Sequence, residues 1–239
     1  METSQTNATA PVRYTGKAIA GMAVRFAILL VGLSGLLFGS AGRVDIWNFW
    51  AYIGLTIVGM AFAIFVVMRT DPTLLQERIR PGPGGKDPNL RKYAAVAFAA
   101  LWVIAGLDVG RFQWSPPMPE ALIVAGLVGL VAALGMSTWA MSANRFFSSD
   151  ARIQTDRGHH LITGGPYQYV RHPGYAGAVL MGLAAPVALG SWWSGVMILP
   201  ALVLILRRLL IEERMLATEL AGYAVYMQQV RFRLLPGVW

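Results

Sequence analysis

The chain of 239 residues contains no cysteine. That excludes a disulfide framework, thiolate-bound metal or iron–sulfur clusters, and a cysteine nucleophile. Charge is scarce too. Only 13% of residues are charged, about half the share usual in a soluble domain. With 56% hydrophobic residues and a mean hydropathy of +0.52, a water-soluble globule is excluded. Acidic residues are the rarer sign, 12 against 20 Lys and Arg. Familiar nucleotide and metal signatures are missing. GPGGKD at 82–87 has Asp87 where a P-loop needs Ser or Thr, and its spacing fails. There is no His-Glu-x-x-His and no Rossmann glycine fingerprint. The first 15 residues are polar and lack an apolar core ahead of a small-residue cleavage site, so no signal peptide is expected.

What the chain does have is a series of long apolar runs. After a polar tail at 1–17, expected to be disordered or to lie on a surface, runs cover roughly 18–39, 46–68, 93–109 and 121–141. The second and fourth match the roughly 20 residues a spanning helix needs. Trp47 and Trp50 sit at the end of the second, where interfacial aromatics belong. The stretch 69–92 is rich in Pro and Gly and reads as a loop with a short surface helix near Leu74–Ile79. Residues 175–210 are mostly apolar. As one helix they would extend about 54 Å, against a hydrocarbon core of about 30 Å. Pro186, Gly190 and Ser191 lie near the middle, which predicts a hairpin with legs 175–189 and 192–208. A polar helix over 209–231 is expected to follow and leave the bilayer surface. The expected fold is all-α: a polytopic helical membrane protein of about six transmembrane segments, including a C-terminal helical hairpin, plus a cytoplasmic C-terminal helix.

The basic residues flank the apolar runs, and no basic face stands apart from them as a nucleic-acid footprint would. Eighteen of the 20 fall in the N-terminal segment through Arg25, the 69–92 loop, the 142–174 loop and the segment from Arg207 onward. Arg43 and Arg111 occupy the alternate loops. That asymmetry predicts an even number of spans with both termini in the cytoplasm.

Two constellations have chemical content. The polar loop 142–174 holds all three histidines, His159, His160 and His172. Long loops without elements of their own are uncommon and often functional. Gly164, Gly165 and Pro166 would let backbone amides approach a ligand, and Tyr167, Tyr169 and Tyr175 offer flat faces with polar tips. Such a set suits a nucleoside-containing ligand. It equally suits an interfacial loop with Arg171 and His172 at lipid headgroups. The second constellation is RRLLIEERML at 207–216. Arg208 and Glu212 are four apart and share a helix face, whereas Glu213 points about 100° away. Alone, this reads as an ordinary surface pair. An even number of spans between the two constellations puts both on one side of the bilayer, and a tight hairpin keeps them close. Tyr223, Tyr226 and Val230 recur at helical spacing and are expected to pack the tail onto the bundle.

The string HHLITGGPYQYVRHPGYAG at 159–177, followed by Arg208-x-x-x-Glu212-Glu213, resembles the isoprenylcysteine carboxyl methyltransferase family, which belongs with the membrane phospholipid methyltransferases. The likeness covers roughly residues 120–239. It implies a core at 111–239, with a cofactor loop at 142–174, the hairpin 175–208 and the helix 209–231. Residues 1–110 form an N-terminal part. It implies S-adenosyl-L-methionine as cofactor, with His159, His160, Leu161, Ile162, Tyr167, His172, Pro173, Gly174 and Tyr175 along it. Gln154 corresponds to an upstream glutamine once a two-residue gap is admitted. Glu212, with Glu213 beside it, takes the place of the cofactor-contacting acid, and Arg208 that of the substrate-side arginine. Arg208 and Glu212 are the implied catalytic pair, with no metal. The implied acceptor is lipophilic: an isoprenylcysteine-type carboxylate, a phospholipid amine or a hydrophobic thiol. Two rivals stand beside this reading. One is an NADPH-dependent membrane reductase of related fold, against which Pro173-Gly174 argues. The other is a non-catalytic membrane protein.

Overall fold

The computed structural model describes residues 16–79, 82–85 and 89–239. The tail through residue 15 and parts of the 69–92 loop, at 80–81 and 86–88, lie outside the described residues. Eight α-helices and no strand occur among the described residues: α1 (Gly16–Ala41), α2 (Trp47–Thr70), α3 (Pro72–Ile79), α4 (Leu90–Gly106), α5 (Glu120–Ala143), α6 (Pro173–Ala188), α7 (Trp192–Glu219) and α8 (Tyr223–Gln229). A π-helical turn, Leu107–Phe112, prolongs α4.

Five stretches are long and apolar enough to cross a membrane: Ala23–Ala41, Trp47–Thr70, Lys92–Phe112, Glu120–Ala143 and Trp192–Glu219. The sixth apolar helix, α6, has only 16 residues. Val31, Val58, Val128 and Val203 point outward at 64–73% exposure. Apolar side chains on the outer face of apolar helices belong against lipid. The molecule is therefore a multi-pass integral membrane protein.

The helix ends follow local chemistry. α6 begins with Pro173 in its first turn, where a missing N–H costs nothing. It stops at Ala188, where Gly190 takes φ +73° and turns the chain back. Ser191 then caps α7 by accepting a hydrogen bond from the Ser194 amide. The hairpin break therefore falls where the sequence places it. The second leg does not end at 208. α7 continues unbroken to Glu219, so the expected separate helix over 209–231 is replaced by the end of α7, a turn and the short α8. After Pro200 no proline or glycine occurs before Gly222. The change at 209 is one of polarity, and polarity alone does not end a helix.

In lipid, helices associate by close packing of small residues and by buried polar contacts. Both are present. Gly126 of α5 faces α6 so closely that an added Cβ would overlap the Ala188 amide. Asn48 of α2 donates 3.0 Å to the Ala188 carbonyl. Asp108 is 1% exposed. It accepts from the Ser115 amide at 2.8 Å, from the Ser115 hydroxyl at 2.6 Å and from the Ser191 hydroxyl at 2.6 Å. The hairpin turn is thus tied to the α4–α5 connection at one end of the bundle, while the polar loop 144–172 lies at the other end.

Candidate active site

The polar loop folds back on itself through its own side chains. Gln154, fully buried, donates 2.6 Å to the Phe146 carbonyl and accepts from Arg157 at 2.5 Å. The ring of Phe146 lies 4.5 Å from that of His159. Burial disfavours the charged imidazole, and the charges of His160, Arg152 and Arg157 add to that, so the His159 pKa falls to about 4. Asn144 donates to the Tyr167 phenol at 3.1 Å, and the Tyr226 hydroxyl donates to the Tyr167 carbonyl at 2.5 Å. Burial pushes the Tyr226 phenol up to about 12, and it raises Tyr167 as well.

α3 is bolted to this loop. Arg152 donates to Glu77 through Nε at 3.0 Å and Nη2 at 2.9 Å, and to Asp156 through Nη1 at 2.7 Å. Burial opposes ionisation of Glu77, but the hydrogen bonds from Arg152 and Ser148 outweigh it and hold the carboxyl below its ordinary range. The paired fork geometry is what makes the buried arrangement tolerable.

The two constellations meet. Arg171 donates through Nε to Glu213 Oε1 at 2.7 Å, and Arg233 through Nε to Oε2 at 2.6 Å. The His172 Nε2 atom is 3.5 Å from Glu213 and 3.3 Å from the Tyr223 hydroxyl. The backbone amides of Arg171 and His172 donate to the carbonyls of Phe232 and Arg233, both at 2.9 Å. This places the C-terminal segment beside the His-Pro-Gly-Tyr turn. Tyr175 donates from its hydroxyl to Glu212 Oε2 at 2.7 Å.

These contacts enclose a cavity of about 470 Å³, within the roughly 300–1,000 Å³ usual for small-molecule sites. Of the residues singled out in the sequence, His159, His160, Leu161, Ile162, Tyr167, His172, Gly174, Tyr175, Arg208 and Glu212 line it. Gln154, Pro173 and Glu213 do not. Gln154 braces the loop from behind, Pro173 starts α6, and Glu213 pairs with Arg171 and Arg233. The cavity has two kinds of wall. Tyr223, Tyr226, Leu216 and Leu220 stand beside the histidine segment, whereas Phe98, Met181 and Ile205 come from the membrane-spanning helices. Arg208 is 6% exposed. Its Nη2 donates to the Ser149 carbonyl at 2.6 Å, and its buried Nε has no hydrogen-bond partner. Arg78 of α3 and Phe147 also line the cavity. Sequence reasoning missed both. Arg78 sits in a charged surface helix whose sequence gives no sign of what it packs on.

Fold and site define a class: a helical integral membrane protein with a half-polar, half-apolar cavity where a loop meets the bilayer-spanning helices. Residues 124–218, less than half of the chain, match the isoprenylcysteine carboxyl methyltransferase (ICMT) family. Methyltransferases of the family use S-adenosyl-L-methionine. The structure is similar to that of the eukaryotic intramembrane Ras methyltransferase ICMT. The TM-score is 0.63 at 22% sequence identity, covering 94% of this chain and 79% of that one, a likeness of fold. The Drosophila melanogaster lamin-B receptor is 33% identical over 102 residues, which are 41% of this chain. The match spans only 14% of that receptor's length.

Proposed function

We propose that the protein is an S-adenosyl-L-methionine-dependent methyltransferase acting on a lipophilic acceptor, with an isoprenylcysteine-type carboxylate favoured by the family. The observation that carries this reading is the meeting of the 159–175 segment and the Arg208–Glu212 face of α7 around one cavity that holds an orphaned buried arginine nitrogen. The donor set fits the cofactor. It combines ring faces, backbone and hydroxyl groups for a nucleoside, a carboxylate at Glu212 for cationic groups, and arginine N–H groups for an anion. When bound, S-adenosyl-L-methionine supplies an electrophilic methyl group.

The chain's own residues then have distinct tasks. Tyr175 fixes the rotamer of Glu212 through their hydrogen bond, which holds a negative charge at one place on the wall. The Ser149 carbonyl accepts from Arg208 Nη2, while the buried Nε has no hydrogen-bond partner. A carboxylate acceptor is already ionised and requires no base, so orientation by Arg208 suffices. The rate then comes from holding reacting atoms about 3–3.5 Å apart and in line. The apolar wall of Phe98, Met181 and Ile205 suits the tail of an acceptor that arrives from the bilayer.

The distribution of Lys and Arg supports an orientation with both termini and the cavity on the cytoplasmic side. Introducing single cysteines at Ser4 and Ser148 into this cysteine-free chain tests it, through labelling of both from the cytoplasmic face alone. The activity is tested by incubating purified protein with methyl-labelled S-adenosyl-L-methionine and a farnesylated N-acetylcysteine. A base-labile methyl ester is expected, and failure of the purified protein to bind the cofactor in calorimetry overturns the reading.

A further inference from the structure

After α8 the chain turns back and lies along the start of α6. The amides of Arg171 and His172 donate to the carbonyls of Phe232 and Arg233, and Arg171 Nη1 donates to the carbonyls of Val230 and Arg231, both at 2.8 Å. This pairing fixes the backbone from which Arg233 reaches. Its guanidinium lies 5.1 Å from the centre of the Trp239 ring, a face that orients a cation without neutralising it. From that position Arg233 Nε donates to Glu213 Oε2 at 2.6 Å. Arg171 Nε takes the other oxygen, Oε1, at 2.7 Å. Each oxygen thus has its own guanidinium, and short charge-assisted bonds of this kind are the strong ones. Arg171 alone would hold one oxygen and leave the carboxylate free to rotate about it.

A carboxylate fixed at both oxygens sets what stands beside it. Glu213 Oε1 is 3.5 Å from His172 Nε2, and the Tyr223 hydroxyl is 3.3 Å from the same nitrogen. The His172 ring meets the Tyr175 ring edge-on, with 5.8 Å between centres and 70° between planes. Tyr175 in turn holds Glu212. The contacts therefore run from Arg233 through Glu213, His172 and Tyr175 to Glu212. The last three line the cavity, whereas Arg233 and Glu213 stand outside its lining. We infer that Arg233 is a positioning residue for the proposed methyl transfer: acting through Glu213, it sets the His172 ring on the cavity wall. The inference rests on the reading of this cavity as the S-adenosyl-L-methionine site. It gives a task to a residue beyond the matched segment, 124–218.

The test uses the full chain, labelled with 13C at histidine Cε1, in lipid nanodiscs. The chain has three histidines, so its ring spectrum is simple, and His172→Gln assigns the His172 signal. Arg233→Met should move the His172 signal and leave those of His159 and His160 in place. Cofactor Kd by calorimetry should weaken about tenfold, the scale of one coupling between residues in contact. Arg233→Lys, which keeps the charge, should recover part of both changes. An unmoved His172 signal in Arg233→Met overturns the inference. A moved signal with the cofactor Kd within twofold of wild type also overturns it, and so does a shift of all three rings, which would make Arg233 a support of the whole fold. If the methionine variant does not fold, Arg233→Lys is read alone, with a smaller His172 shift and about a threefold weaker Kd expected on the same scale. A wild-type protein that binds no cofactor defeats the methyltransferase reading instead, while the ring signal still reports on the contact, so the two failures are distinguishable.

Discussion

Tyr175 donates a 2.7 Å hydrogen bond to Glu212, joining the first turn of α6 to the middle of α7. A hydrogen bond to a charged group contributes about 1.5–3 kcal/mol. Its removal in Tyr175→Phe frees the carboxylate to rotate. Cofactor affinity measured by calorimetry should fall about tenfold, while Glu212→Ala should weaken it further. Equal affinity in wild type and both variants would remove Glu212 from the cofactor site.

Glu213, next in sequence, has a different task. It is 4% exposed and accepts from two arginines. Breaking a buried pair by removing one partner costs about 3–5 kcal/mol. Glu213→Ala is therefore expected to lower the thermal midpoint sharply, because it leaves Arg171 and Arg233 uncompensated. A midpoint within a degree of wild type would contradict the buried node.

Gly126 marks the closest approach of α5 and α6. A methyl group there must push the Ala188 backbone away, and overpacking of this kind costs about 1–3 kcal/mol. Gly126→Ala should lower stability in detergent without altering the cofactor Kd of the folded fraction. Unchanged thermal stability would mean the two helices are further apart.

His159 gives the loop a pH dependence. Its pKa is near 6.5 when unfolded and about 4 when folded. Above pH 6.5 both states are neutral and the full stability is present. Below that the unfolded chain takes up a proton that the folded chain refuses, so stability falls progressively as pH drops towards 4. The midpoint of His159→Phe should decline less than that of wild type between pH 6.5 and 4. Parallel curves would show that the imidazole titrates alike in both states.

Much of the fold was legible because the bilayer imposes a length scale. The apolar runs appear as helices within a few residues of their expected ends, and Gly190-Ser191 marks the hairpin turn. The extent of α7 was not legible, because a backbone without Pro or Gly continues past a change of polarity. At the site, the histidine segment stood out by residue type, and Arg208–Glu212 only through the topology that puts it on the same side of the bilayer as that segment. The different roles of Glu212 and Glu213 did not, since they depend on which helix face meets Tyr175 and which meets Arg171. Asp108 reads as an acid near a run end, and its partners Ser115 and Ser191 are united only by folding.

α3 lies upstream of the matched segment, yet it is pinned to the polar loop by Glu77–Arg152 and carries Arg78 to the cavity wall. The polar loop and the cavity beside it thus depend on a helix from the N-terminal half, and damage to that helix would be felt at the cavity without touching any residue of the matched segment.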